Sequence, residues 1–208
     1  MSAFPRAMQL TFKEVQSITA TQRAPLNSIG FTPDGRAFRY VLAGATALAL
    51  GKLQMSSLML AENVNDLAVV SGALDSKTIV FTNATGGTAA AIVADQYKDG
   101  YAFINDVDGE GQTFFIKSNS AAATNASCTL TLYNPLSVVL TANSQLGIRK
   151  NIASGVLLHD ASEIGTETTS GVILGVAPVA ITAAYYGWLL IGGIQACLTN
   201  GTVVHGGS

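Results

Sequence analysis

GYAFINDVDGEGQTFFIKSN, residues 100–119, is the stretch on which the fold reading turns. Tyr101 to Asn105 (YAFIN) is a short aromatic and apolar run, and Thr113 to Lys117 (TFFIK) is another. Between them lies DVDGEG, whose Asp and Gly residues bond their own backbone or accept positive φ, so the segment reads as a hairpin. Working outward, the same signal recurs. TIVFT (78–82) runs into Gly86-Gly87, Ile92-Val93 opens a short piece, and CTLTLY (128–133) and LSVVLT (136–141) flank the Asn134-Pro135 break. Short β-branched and aromatic runs at intervals of about 8–12 residues, divided by Gly, Asn and Asp, predict an all-β sandwich or barrel. SNSAAATNAS (118–127) reads as an exposed loop of small residues.

Towards the amino terminus, IGFTPDGRAFRYVL (29–42) predicts a second hairpin. Pro33 presets φ, Asp34 can bond its own backbone and Gly35 accepts φ > 0. AGATALALGKLQM then alternates Ala45, Ala47 and Ala49 with Leu48 and Leu50, as in a strand covered on both faces. Residues 54–70 have an ambiguous period, either a short helix or a strand pair. Towards the carboxy terminus, SGVLL (154–158) and a polar loop at 163–170 precede an apolar block, Gly171 to Leu198. That block is long enough to span a bilayer. Pro178, Gly187, Gly192 and Gly193 interrupt it, no Lys or Arg flanks it, and its apolar residues come in three bursts, 172–176, 188–190 and 194–198. It reads as buried strands.

At 208 residues the chain is one large or two small units. Hydrophobic residues make up 49% and charged ones 12%, which excludes a disordered chain, a coiled coil and a free-standing nucleic-acid binder. So few charges suggest a surface covered by partners or by copies of itself. Met1 to Lys52 holds Arg6, Lys13, Arg23, Arg36, Arg39 and Lys52 against Glu14 and Asp34, net +4, while the remainder is net −6. A basic arm that docks on an acidic partner fits this asymmetry, as does ordinary surface scatter. Met1 to Phe12 holds no apolar run of leader length, so Cys128 and Cys197 are expected to be buried free thiols made in a reducing compartment.

Motifs for chemistry fail on inspection. Asp106, Asp108 and Glu110 with Gly111 mimic the start of a calcium loop, but Lys117 stands where the bidentate Glu belongs. Six residues, not four, separate Gly44 from Gly51-Lys52, and Leu53 replaces the hydroxyl of a phosphate loop. His159 and Asp160 are neighbours that a strand would point to opposite faces, and His205 sits in a Gly-rich tail. The residues therefore suggest no catalytic, metal or cofactor site, and a protein that is not an enzyme.

FTPDGRAFRYVLAGATALALGKLQ (31–54), GYAFINDVDGEGQTFFIKSN (100–119) and GVAPVAITAAYYGWLLIGGIQACLTNGTVV (175–204) together resemble the decoration, or cement, proteins of tailed-bacteriophage heads. The resemblance covers about half of the chain and implies a β-rich, β-tulip-like fold, a homotrimer and the major capsid protein as partner, with no nucleic acid or membrane. The expected localisation is the virion surface, after assembly in the host cytoplasm. The expected organisation is an extended N-terminal arm (1–28) that contacts the capsid, a β-rich base (29–74 and 142–208), and an inserted sandwich or barrel (75–141). Phe4, Arg6, Lys13, Arg23, Arg36 and Arg39 are the expected capsid contacts, the arginines because a planar guanidinium binds carboxylates bidentately. Phe38 and Tyr40 are expected in the core, and Tyr185, Tyr186 and Trp188 in the core or a trimer interface. The competing class is a head-fibre, tail-fibre or spike component that binds the host surface.

Overall fold

A computed structural model describes residues 7–57, 66–83, 91–159 and 171–198. The fold is all-β, as the turn spacing predicts, and it divides into two units: Met1–Leu58 with Ile152–Ser208, here the flanking unit, and Met59–Asn151, the central unit. In chain order the flanking unit opens with β1 (Ala7–Gln9), α1 (Phe12–Val15), β2 (Ile29–Phe31), β3 (Ala37–Ala43) and β4 (Leu53–Met55). The central unit follows with β5 (Leu67–Ser71), β6 (Thr78–Thr82), β7 (Tyr101–Asp106), β8 (Thr113–Asn119), β9 (Ser127–Leu132) and β10 (Gln145–Arg149). The chain then returns to the flanking unit through β11 (Ser154–Leu158), β12 (Ile173–Val176) and β13 (Tyr186–Gly192).

The central unit is a closed antiparallel barrel in the order β10-β5-β6-β9-β8-β7. The hairpin read from residues 100–119 is β7 and β8, with Ala102 opposite Phe114 and a turn that uses positive φ at Val107, Gly109 and Gly111. Inward residues alternate along each strand, and Ile79, Phe81, Ile104, Ile116, Leu130 and Leu146 fill the interior. Closure leaves this barrel without a free strand edge, the site where stray pairing begins. The sequence places β5 and β10 in the base; in the structure they complete the central ring, because β10 pairs with β7 on one side and β5 on the other. LSVVLT is not a strand. Leu136 and Leu140 are buried there, and only a single bridge, Leu140 to Gly72, carries the pairing.

The flanking sheet runs β1-β2-β3-β11-β4-β12-β13, and β13 pairs back onto β3, so five of its strands form a ring. β3 makes this possible by splitting one edge between two partners, β2 along Ala37–Arg39 and β11 along Leu42–Ala43. The Thr32–Arg36 turn between β2 and β3 forms as read, with Gly35 at φ 81°. Phe38, Tyr40, Val41, Leu48, Ile181, Trp188 and Leu189 are core residues. Full burial of each such side chain stabilises by about 1.5–3 kcal/mol.

Four expectations are corrected here, the last for Cys197. The described part of the N-terminal segment is not an extended arm. β1 pairs in parallel with β2, and Leu10, Val15, Ala24 and Leu26 are buried in the flanking core. α1 is fixed by a capping box, in which the Thr11 hydroxyl accepts from the Glu14 N–H while the Glu14 carboxylate accepts from the Thr11 N–H. Those bonds to Thr11, the backbone one first, hold the Glu14 carboxyl below its usual range. Second, Ala45 to Leu50 is not a strand. Leu48 alone bridges, to Ile181, because Gly44 is pressed against the backbone of β11 and the chain turns away. Third, the burst at 194–198 is neither strand nor core: Ile194 is 91% exposed. Both cysteines are free, but only Cys128 is buried, while Cys197 is exposed.

Candidate interface

The expected contact residues separate sharply. Phe4 and Arg6 lie outside the described residues. Lys13 is exposed on α1. Arg23 is exposed in the N-terminal segment, and its backbone N–H donates to the Tyr40 hydroxyl at 3.0 Å. It lines a small cleft, about 80 Å³, with Glu14, Tyr40 and Trp188.

Arg36 is already engaged within the chain. Its Nε lies 2.7 Å from the Asp34 carboxylate and its Nη1 donates to Gln195 at 3.3 Å. Its guanidinium also sits over the rings of Phe12 and Phe38, at 5.9 and 5.5 Å from their centroids. Asp34 is held below the usual carboxylate range first by the Thr32 hydroxyl and then by Arg36. This is a closed local network that braces the β2–β3 turn.

Arg39, three residues on in β3, has no such partner. It lies beside an open groove of about 460 Å³ whose lining includes Leu53 of β4, Ile173 and Val176 of β12, and Ile191 of β13. The Arg39 side chain makes no hydrogen bond or ion pair among the described residues, and its Nε–H is buried without an acceptor. Burial draws its pKa below the ordinary arginine value. An enclosed donor left unmet costs about 1–3 kcal/mol, and more where the group is charged. Leu53, Ile173 and Ile191 are each between 38% and 48% exposed, so the groove offers apolar surface to whatever covers it. Gly192 and Gly193 keep one side low, and Gln195 and Cys197 complete the lining beyond them.

No signal in the sequence marks the groove. Its residues come from four separated strands, and Arg39, unlike Arg36, has no carboxylate partner among the described residues. The legible clue is narrower: Asp34 stands two residues from Arg36, at turn spacing, and so engages that arginine and not Arg39.

The central barrel presents a row of rings across neighbouring strands. Tyr101, Phe115 and Tyr133 follow one another with centroids 5.5 and 4.9 Å apart. Phe115 and Tyr133 are stacked face on face, so each covers the other, as cross-strand aromatic pairs that stabilise a sheet do. Among the described residues no cluster of His, Cys, Asp and Glu could hold a metal ion, and no helix is long and apolar enough to cross a membrane.

No family model, no curated protein and no solved structure matches this chain.

Proposed function

We propose that this chain is a decoration protein of a tailed-phage head, which binds the outer surface of the capsid shell as an oligomer, a homotrimer by the resemblance, and stabilises it. On this reading its partners are the major capsid protein and its own copies, it resides on the virion, and it performs no chemistry and needs no cofactor. The observation that carries the reading is the exposed apolar groove of the flanking unit, flanked by a cation with no counter-charge among the described residues. A surface of that kind is suited to being covered. Two of the three segments that resemble decoration proteins, 31–54 and 175–204, also contribute β3, β13, the start of β4 and the end of β12, among the strands that line it.

A cement works through interface energy. Apolar burial contributes about 25 cal/mol per Å², so a few hundred Å² per contact supplies several kcal/mol before the entropic cost of association. Repeated over many equivalent sites, contacts that bridge neighbouring shell subunits oppose the shear that would part them.

The test is stoichiometric. Quantitative mass spectrometry of purified virions should count hundreds of copies per particle, and the purified chain should co-sediment with emptied heads that lack it. A few dozen copies or fewer would favour a fibre component, and turnover of a small molecule without head binding would end the proposal.

A further inference from the structure

We infer that the groove beside Arg39 is a docking site for an extended segment of a partner polypeptide that places one carboxylate on the guanidinium and apolar side chains against Leu53, Ile173 and Ile191. The identity of the partner as a shell subunit rests on the reading above; the chemistry of the segment does not.

Three observations lead here. First, the need for an anion is local. Arg39 is the single charged residue in the groove lining, and it has no acceptor among the described residues. A carboxylate that reaches its terminal nitrogens would form charge-assisted bonds in a partly desolvated setting, where such bonds are roughly twice as strong as neutral ones. Second, the rest of the lining is aliphatic side chain and glycine backbone, with Gln195 and Cys197 as the other polar groups. A free inorganic anion would leave that apolar surface wet. Third, the apolar surface does not stop at the groove. Ile194 and Leu198, on the segment that supplies Gln195 and Cys197, are 91% and 60% exposed. An occupant that covers them as well has the reach of a chain segment.

The described charges of the flanking unit favour a different protein as the source of the carboxylate. The described carboxylates of the flanking unit are Glu14 and Asp34. Glu14 is spent on the Thr11 capping box and Asp34 on Thr32 and Arg36. Among the described residues, a second copy that presents this same surface therefore has no carboxylate to give without breaking one of those networks.

The probe is a pair of synthetic peptides, acetyl-Val-Leu-Glu-Ile-Val-amide and its Gln counterpart, titrated into the full chain. Methyl and arginine Nε–H NMR signals are the readout. The Glu peptide is expected to shift the Leu53, Ile173 and Ile191 methyls and the Arg39 Nε–H together, with at least tenfold tighter binding than the Gln peptide. Arg39→Met, which keeps an unbranched apolar stem, should remove that tenfold preference. Ile191→Asp, a surface change that sets an internal carboxylate at the groove, should weaken the Glu peptide by a similar factor. Equal binding of the two peptides, or shifts confined to other residues, would overturn the inference. So would groove methyls that move with protein concentration alone, since a second copy would then be the occupant. The two readings fail separately. Peptide binding without head binding removes the decoration proposal and keeps the groove; head binding unaffected by Arg39→Met does the reverse.

Discussion

Replacing Arg39 by Met should make the isolated protein more stable while it abolishes carboxylate docking. The gain follows from what the side chain leaves unmet. The Arg39 Nε–H is enclosed without an acceptor, a deficit of about 1–3 kcal/mol for a buried polar group. The terminal nitrogens are only partly enclosed, so solvent reduces their share, and the lower end of that range applies. Met preserves most of the apolar stem that Arg39 contributes to the groove, so little packing is lost against the gain. The net expectation is about 1 kcal/mol of added stability. With a urea slope of about 2 kcal/mol/M, the unfolding midpoint rises by about 0.5 M. The assay has a built-in reporter. Trp188 is the chain's only tryptophan, and it belongs to the flanking unit, its ring 5.0 Å from that of Tyr40 on the same strand as Arg39. Tryptophan fluorescence during urea unfolding therefore reads the unit that carries the substitution. A midpoint that falls by 0.5 M or more would refute the reasoning, because it would mean that the guanidinium is satisfied in solution and holds the fold together.

Three further outcomes are expected. Gly100→Ala should cost the central barrel about 2–3 kcal/mol, since a Cβ there collides with the carbonyl oxygen of Arg149 and lies 2.9 Å from that of Tyr97, and backbone cannot yield as a side chain can; hydrogen exchange of β7 and β10 amides measures it. Thr11→Ala removes the hydroxyl half of the capping box around α1, leaving the backbone N–H of residue 11 to the Glu14 carboxylate, and should cost about 1 kcal/mol in a thermal or urea melt read by Trp188. In an Ellman assay, Cys197 should react at once and Cys128 only as the central barrel opens. Burial raises the Cys128 pKa, with the Ser120 hydroxyl working against it, so the unfolded thiol ionises first. The stability this linkage contributes is whole below the unfolded value of about 8.5 and declines as pH rises towards the folded one; Cys128→Ala should flatten that decline.

Local turn chemistry was the readable part of this chain. Gly35, Gly109 and Gly111 supply the positive φ that their turns require, although Val107 takes one that its branched side chain disfavours, and the strands on either side alternate as the pleat demands. Alternation alone tells which face is apolar but not whether a partner strand exists. Ala45–Leu50 and Leu136–Thr141 alternate as well as β7 does, yet each finds a single bridge and bends away. The T-x-x-E signature of α1 was present at Thr11 and Glu14, and it marks the helical turn that an extended arm would lack. The limits of the central unit were not readable, because nothing within Gln145–Arg149 says that its neighbours are β7 and β5, dozens of residues earlier.

The same distinction explains why a basic N-terminal segment says little about an interface until the strands are placed. Counted along the chain, Arg36 and Arg39 are equivalent contributors to a positive arm. In the structure the first is neutralised by Asp34, capped by Gln195 and held over two rings, so its charge is used to fasten a turn. The second stands beside the groove lined by β3, β4, β12 and β13, with no carboxylate among the lining side chains. A net charge of +4 thus resolves, at this surface, into one cation with an unmet requirement. It is that requirement, and not the sum, that selects a partner: an acidic patch would satisfy the sum anywhere on its face, whereas Arg39 asks for one carboxylate set between apolar residues.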